Sequence, residues 1–138
     1  MKKHILFVCR YNRFRSVLAE AFFNKYNKDK LIVVKSAAPI RGMPLSHKVK
    51  KLAKEFKVKI KDKPHGLTSR LMKWQNITVI VADDVPNILF NKNKMYGKKV
   101  IHWHISDVKD DNLGEMRKIT RIIKKKVIKL VRDIKKWK

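Results

Sequence analysis

The chain is poor in acid, in cysteine and in long apolar runs. Its 138 residues hold 36 lysines and arginines against 11 aspartates and glutamates, a formal net charge of +25. A single cysteine, Cys9, excludes an intramolecular disulfide framework. A free thiol suits a reducing compartment, so a cytoplasmic location is expected. No stretch approaches the length of a membrane-spanning helix, and no membrane partner is expected. The apolar residues after Met1-Lys2-Lys3 stop at Arg10, which is too short a run for a signal peptide's h-region. Internal repeats, low-complexity tracts and linkers are missing as well. The length suits one domain over 1–138 with a sizeable core.

The shortage of acid leaves open a polyanionic partner. The basic residues are mostly lysines scattered through every segment. They are not interleaved with aromatics in the manner that grips single-stranded nucleic acid. No helix-turn-helix or zinc-finger spacing is present. Nonspecific association with nucleic acid at low salt is therefore expected, and specific readout is not.

What the chain does have is concentrated in Ile5-Leu6-Phe7-Val8-Cys9-Arg10-Tyr11-Asn12-Arg13-Phe14-Arg15-Ser16. Ile5 to Val8 reads as a buried strand. A helix follows from Ser16, with Val17, Leu18, Ala21, Phe22 and Tyr26 on one face. A strand turning sharply into a helix leaves backbone N–H groups converging on one spot, and the helix dipole adds partial positive charge there. The loop is thus a candidate phosphate site built from Arg10, Tyr11, Asn12, Arg13, Phe14, Arg15 and Ser16. Cys9, under the same field, is favoured as a thiolate nucleophile. The planar fork of Arg15 suits two phosphate oxygens at once. Ser16 can donate to the thiolate or cap the helix. The loop has no glycine, so Asn12 is the residue best suited to a left-handed conformation. The plain alternative for Cys9 is a small buried hydrophobe at a strand end.

Along the rest of the chain strands and helices alternate. Asn27 to Lys30 is a turn and Leu31 to Val34 a second buried strand. Ser46 caps a helix carrying Val49, Leu52, Ala53 and Phe56, with Lys48, Lys50, Lys51 and Lys54 facing out. Val58 to Leu67 is an irregular crossing, and Thr68 or Ser69 starts a short helix. Ile77 to Ala82 is the third strand. Asp83-Asp84 follows at its C-terminal end, where open α/β sheets place ligands. Two adjacent acids are too few to hold a metal, so a polar strand end or a helix cap is expected there. Val85 to Tyr96 reads as one short helix closed by Gly97, and Val100 to Ile105 as the fourth strand. His102 and His104 share a face of that strand without a third ligand, so neither a metal nor another cofactor is expected. Met116 to Trp137 is a long amphipathic helix with the stripe Ile119, Ile122, Ile123, Val127, Leu130, Val131 and Ile134. The alternation predicts an α/β fold with a four-stranded parallel sheet and helices on both faces.

The Cys9-x5-Arg15-Ser16 stretch resembles the signature of the low-molecular-weight protein tyrosine phosphatases and their arsenate reductase relatives, with Asn12 also at a matching position. The resemblance implies a three-layer sandwich with strand order 2-1-3-4. It implies a phosphatase that hydrolyses phosphomonoesters, phosphotyrosine foremost, through a phosphocysteine at Cys9, with Arg15 holding the phosphoryl group. The family's general acid is an aspartate just past the fourth strand, usually before a proline. Asp107 stands there, followed by Val108, with Asp110 and Asp111 as nearby competitors. The family carries glycine where this chain has Tyr11, and often a second cysteine where it has Phe14. Its Ser-Ala-Gly segment after the second strand corresponds to Ser36-Ala37-Ala38, so Ser36 is expected to support the loop by hydrogen bonding. Tyr11, Ile40, Met43, Trp103 and His104 are candidate walls of the cleft. Arg10, Arg13, Arg41 and Lys109 would give it a basic mouth, suited to acidic phosphorylated proteins or small phosphoesters and weakened by salt. Three other readings stand beside this one: a non-catalytic phosphate- or phosphopeptide-binding module, an arsenate reductase using an external thiol, and a basic nucleic-acid-associated protein.

Overall fold

A computed structural model describes residues 2–108 and 112–137, with Lys94 and Met95 described by backbone alone. Lys109, Asp110 and Asp111, named above for the mouth and for the acid, lie outside the described residues. Four strands, β1 (Lys3–Val8), β2 (Ile32–Ala37), β3 (Ile77–Val81) and β4 (Lys99–Trp103), form one sheet. Its order is β2-β1-β3-β4, and every pair is parallel. The expected topology is therefore the observed one. Phe7 is in register with Ser36 on one side and Val79 on the other, so β1 sits at the centre.

Alternation along β1 sorts its side chains to two cores. Ile5 and Phe7 face a core that includes Phe22 and Phe23 of α1 (Arg15–Tyr26) and Ile123, Val127 and Ile134 of α5 (Leu113–Ile134). Leu6 and Val8 face a smaller one with Ile80, Val85 and Phe90, covered by Leu71, Met72 and Trp74 of α3 (Ser69–Trp74). These two apolar layers, one on each face of the sheet, make the three-layer sandwich. The remaining helices are α2 (His47–Glu55) and α4 (Asn91–Met95).

The sequence signals at helix ends translate directly. Ser46 Oγ accepts from Val49 N, Thr68 Oγ1 from Leu71 N, and Asn112 Oδ1 from Glu115 N. This last cap starts α5 at Leu113, three residues before the expected start at Met116. Other expectations shift. The segment from Val85 to Tyr96 is a 3-10 turn, Asn87–Phe90, followed by the single short α4, because Pro86 sets the entry of a tight turn. Strand β4 ends at Trp103, where Ile105 N folds back to Trp103 O, so His104 lies past the strand. Helix α1 is buried on nearly all sides, Ala19 and Phe23 included, because the sheet and α5 enclose it. On α5, Ile122 is 46% exposed. Thr120 takes the buried position instead, its hydroxyl donating to Met116 O at 2.7 Å.

Candidate active site

The stretch between β1 and α1 forms a cup at the carboxyl edge of the sheet. The residue at the N-cap of helix α1, Phe14, offers no side-chain cap. Asn12 takes the left-handed conformation, φ 54°, expected of it. Tyr11 does not, so the chain accommodates a tyrosine where the family has glycine. The Asn12 side chain is fully buried and works at both ends. Its Oδ1 accepts from His65 N at 2.8 Å, and its Nδ2 donates to Ser16 Oγ at 2.7 Å. Since Ser16 Oγ accepts there, its own hydrogen is left for Cys9 Sγ, 2.9 Å away. Ser16 N also donates to the sulfur, at 3.4 Å. Cys9 is 2% exposed and flanked by apolar neighbours, yet its sulfur is hydrogen-bonded and lines the cup. It is thus more than an aliphatic filler.

Arg15 is the cup's cation. It is 2% exposed, and its Nη1 donates to Ile105 O at 2.8 Å. Its Nη2 donates to both oxygens of Asp84, at 2.9 and 3.2 Å. Asp83 Oδ1 lies 3.8 Å from Nη1 and Asp107 Oδ2 3.6 Å from Nη2. Guanidinium has five N–H donors, so this grip leaves donors over for an oxyanion. Asp83-Asp84 is therefore a polar strand end, one of the two expected roles, and it grips Arg15. Their position at the end of β3 was the available signal. Among the described residues no cluster of three or more His, Cys, Asp or Glu could hold a metal.

Asp107 reaches the cup from the loop after β4. Its Oδ1 accepts from its neighbour Val108 N, and its side chain is 45% exposed. A cavity of about 190 Å³ is lined by Cys9, Arg15 and Asp107 together with Tyr11, Val49, Val108 and Met116. Arg13 also lines it, but its guanidinium donates to Pro44 O at 3.2 and 2.9 Å. Gly42 packs against this arm: a Cβ there would fall 2.6 Å from Arg13 Cδ. Arg10 sits 4.0 Å from Asp84 and over the Tyr11 ring. Of the expected walls, only Tyr11 lines the cavity; Ile40 and Met43 are exposed outside it, and Trp103 packs on Phe7. Ser36 does not reach the loop. Its hydroxyl donates to Glu20 on α1, where burial raises that carboxyl above its usual range. The loop is held by His65 through its main-chain N–H instead, a residue type and position that no sequence pattern marked. His102 is no ligand either: its ring nitrogens meet Asn87 Oδ1 and Ala82 O.

The fold and the site define a class: a parallel α/β sheet that brings a sulfur, a guanidinium and a carboxylate to one cavity at its edge. The model of the low molecular weight phosphotyrosine protein phosphatase family matches residues 4–138, and the chain belongs to that family of cysteine-based hydrolases. An arsenate reductase from Archaeoglobus fulgidus is similar at 28% identity and TM-score 0.73, over 92% of this chain and 98% of that one. A low molecular weight protein tyrosine phosphatase from T. tengcongensis shares the fold at 23% identity and TM-score 0.82, over 96% and 99%. So does the YwlE arginine phosphatase from Geobacillus stearothermophilus, at 19% identity and TM-score 0.83, over 97% and 94%. No curated protein matches. No described helix is long and apolar enough to cross a membrane.

Proposed function

We propose that the protein hydrolyses aryl phosphomonoesters, phosphotyrosine foremost, through a phosphocysteine on Cys9. The observation that carries this reading is one cavity lined by Cys9, Arg15 and Asp107, with Ser16 donating to the sulfur. The Cys9 thiolate attacks phosphorus in line with the departing oxygen. Arg15 and the loop amides hold the equatorial oxygens as their charge redistributes. Asp107 gives its proton to the leaving phenoxide, then takes one from the water that releases phosphate. The Ser16 hydroxyl stabilises the sulfur as it departs in that second step. Tyr11, Val49, Val108 and Met116 offer an aromatic and apolar wall, which suits a ring carrying the phosphate.

The test is p-nitrophenyl phosphate turnover. Cys9→Ser is expected to abolish it while still binding vanadate, and Asp107→Ala to lower kcat by about 10²–10⁴. Wild-type protein that binds vanadate tightly without turnover would leave a phosphate-binding module. A second reading, arsenate reduction, is favoured by the likeness to the Archaeoglobus fulgidus protein. Cys9 is the only cysteine, so both electrons would come from external thiols such as glutathione. Arsenate-dependent glutathione oxidation without phosphatase turnover would replace the first reading by this one.

A further inference from the structure

Behind the cup, against α1, lies a second cleft of about 450 Å³ walled by Val17, Ala21, Ile60 and the titratable groups Glu20, Lys61 and His65. Glu20 and Lys61 have no part in the reaction just described. Lys61 is largely buried, and its contacts are specific. Its Nζ donates to Ser36 O at 2.8 Å and to His65 Nδ1 at 3.1 Å. An ammonium has no lone pair, so His65 must accept at Nδ1. Burial, with Lys61, Lys63, Arg41 and Lys35 adding to it, lowers the His65 pKa and keeps the ring neutral. From His65 the contacts run straight to the sulfur: His65 N to Asn12 Oδ1, Asn12 Nδ2 to Ser16 Oγ, Ser16 Oγ to Cys9 Sγ. The main chain supports the same arm, Ala38 N donating to His65 O and Leu67 N to Ala38 O. Lys61 thus ties the end of β2 to the one segment that holds the loop's left-handed residue.

We propose that Lys61 is a positioning residue: as an ammonium ion it fixes the His65 arm against Asn12 and supplies, in addition to Arg15, a second positive charge to the anion site. Two observations agree with it. Burial lowers the Lys61 pKa to about 8, while the charges of Glu20 and of the Cys9 thiolate pull it back up. A charge in the cup thus acts on Lys61, and the ammonium acts equally on a phosphate held there. The titratable and charged groups around Lys61 are Glu20 from α1 and Lys59, Asp62, Lys63 and His65 from its own segment; Ser36 O of β2 accepts from it, and Cys9 acts on it from the loop through charge. The positive charge is present below pH 8 and lost above it, so anion affinity should fall as the pH rises through that value.

The inference rests on the phosphatase reading, and one measurement separates the two. In a Cys9→Ser background, which removes the thiol as a titrating group, inorganic phosphate binding is measured by calorimetry from pH 7.5 to 9.5, where phosphate is mainly the dianion and becomes more so as the pH rises, so its own titration cannot produce a fall. The affinity is expected to fall about three- to tenfold across that range. Adding Lys61→Arg should abolish the fall and keep the tighter value, because the guanidinium stays charged. Adding Lys61→Met should give the weaker value throughout. A merely structural lysine would leave the pH profile of Lys61→Arg like that of its parent, and this result would overturn the proposal. So would Lys61→Met binding at pH 7.5 as tightly as its parent. If Lys61→Met does not fold, the arginine variant alone decides. If the parent binds no phosphate at all, the phosphatase reading fails and the inference falls with it.

Discussion

The floor of the cup and its rim are built by opposite means. On the floor, Cys9, Asn12 and Ser16 are closed off from solvent, and each polar side-chain atom spends its capacity on a named partner. No buried side-chain nitrogen or oxygen among the described residues lacks a partner. On the rim, Asp83 and Asp107 are nearly half exposed, and Arg10 more so. Arg15 joins the two, itself buried but gripped by rim carboxylates. Under the proposed function, the floor is what fixes where an anion sits. The rim is a set of charges that an arriving phosphate must compete with. Preorganised donors in a dry site hold charge better than mobile ones in water. Perturbing the floor at Asn12 should cost fold and function together, whereas perturbing Asp83 or Asp84, the rim carboxylates beside Arg15, should change affinity alone.

The largest effect belongs to Asn12. Alanine there would leave the partly buried His65 N–H without its acceptor, a cost of about 1 kcal/mol. It would also place a Cβ without a compensating local hydrogen bond in the left-handed region, about 1–2 kcal/mol more. Urea denaturation should show the midpoint falling, and p-nitrophenyl phosphate turnover should drop at least tenfold. Asn12→Gly should recover only the backbone part. A variant Asn12→Ala with the wild-type midpoint would show that the floor is less tightly built than its hydrogen bonds indicate.

That Asn12 would be left-handed was legible because the loop offers no glycine and asparagine is the next best residue. The strands were legible too: Ile5 to Val8 and Leu31 to Val34 are continuous apolar runs, and Ile77 to Ala82 is broken only by Thr78, as expected of strands buried on both faces. Contacts between distant segments were not. Nothing in the local pattern of Lys61 or His65 says that the chain crosses beneath the loop, because Val58 to Leu67 has no period to read. Nor did adjacency reveal that Asp83-Asp84 would clamp Arg15, since two acids after a strand serve equally as a cap. On α5 the hydrophobic count misled at Ile122, because a buried threonine can satisfy its hydroxyl against its own helix and take the inward place.

The rim gives the middle effect. Asp84 is bidentate on Arg15 and only partly exposed. Asp84→Asn removes a negative charge from beside the anion site and loosens the competitor for the guanidinium. Phosphate affinity of the Cys9→Ser protein should rise severalfold, on the order of 1 kcal/mol, with little change in denaturation midpoint. Asp83→Asn, whose carboxylate is 3.8 Å from Arg15, should do less. If Asp84→Asn weakens phosphate binding, Asp84 orients Arg15 more than it competes, and the contrast between floor and rim has to be redrawn with Asp84 on the floor.

The smallest effect lies behind the floor and appears only against pH. Lys61 has a folded pKa of about 8 against its usual 10.5, lowered first by burial. Between those values the unfolded chain binds a proton that the folded chain does not. Stability should therefore rise with pH from about 8 to 10.5, and below that window the desolvation cost of the buried ammonium is fully present. The other lysines titrate alike in wild type and Lys61→Met, so the difference between their denaturation midpoints isolates this group. That difference should change steadily across the window and flatten below it, with wild type gaining on the variant as the pH rises. A flat difference throughout would mean that the amine is solvated in both states, and the rear of the cup would then be as open as its rim.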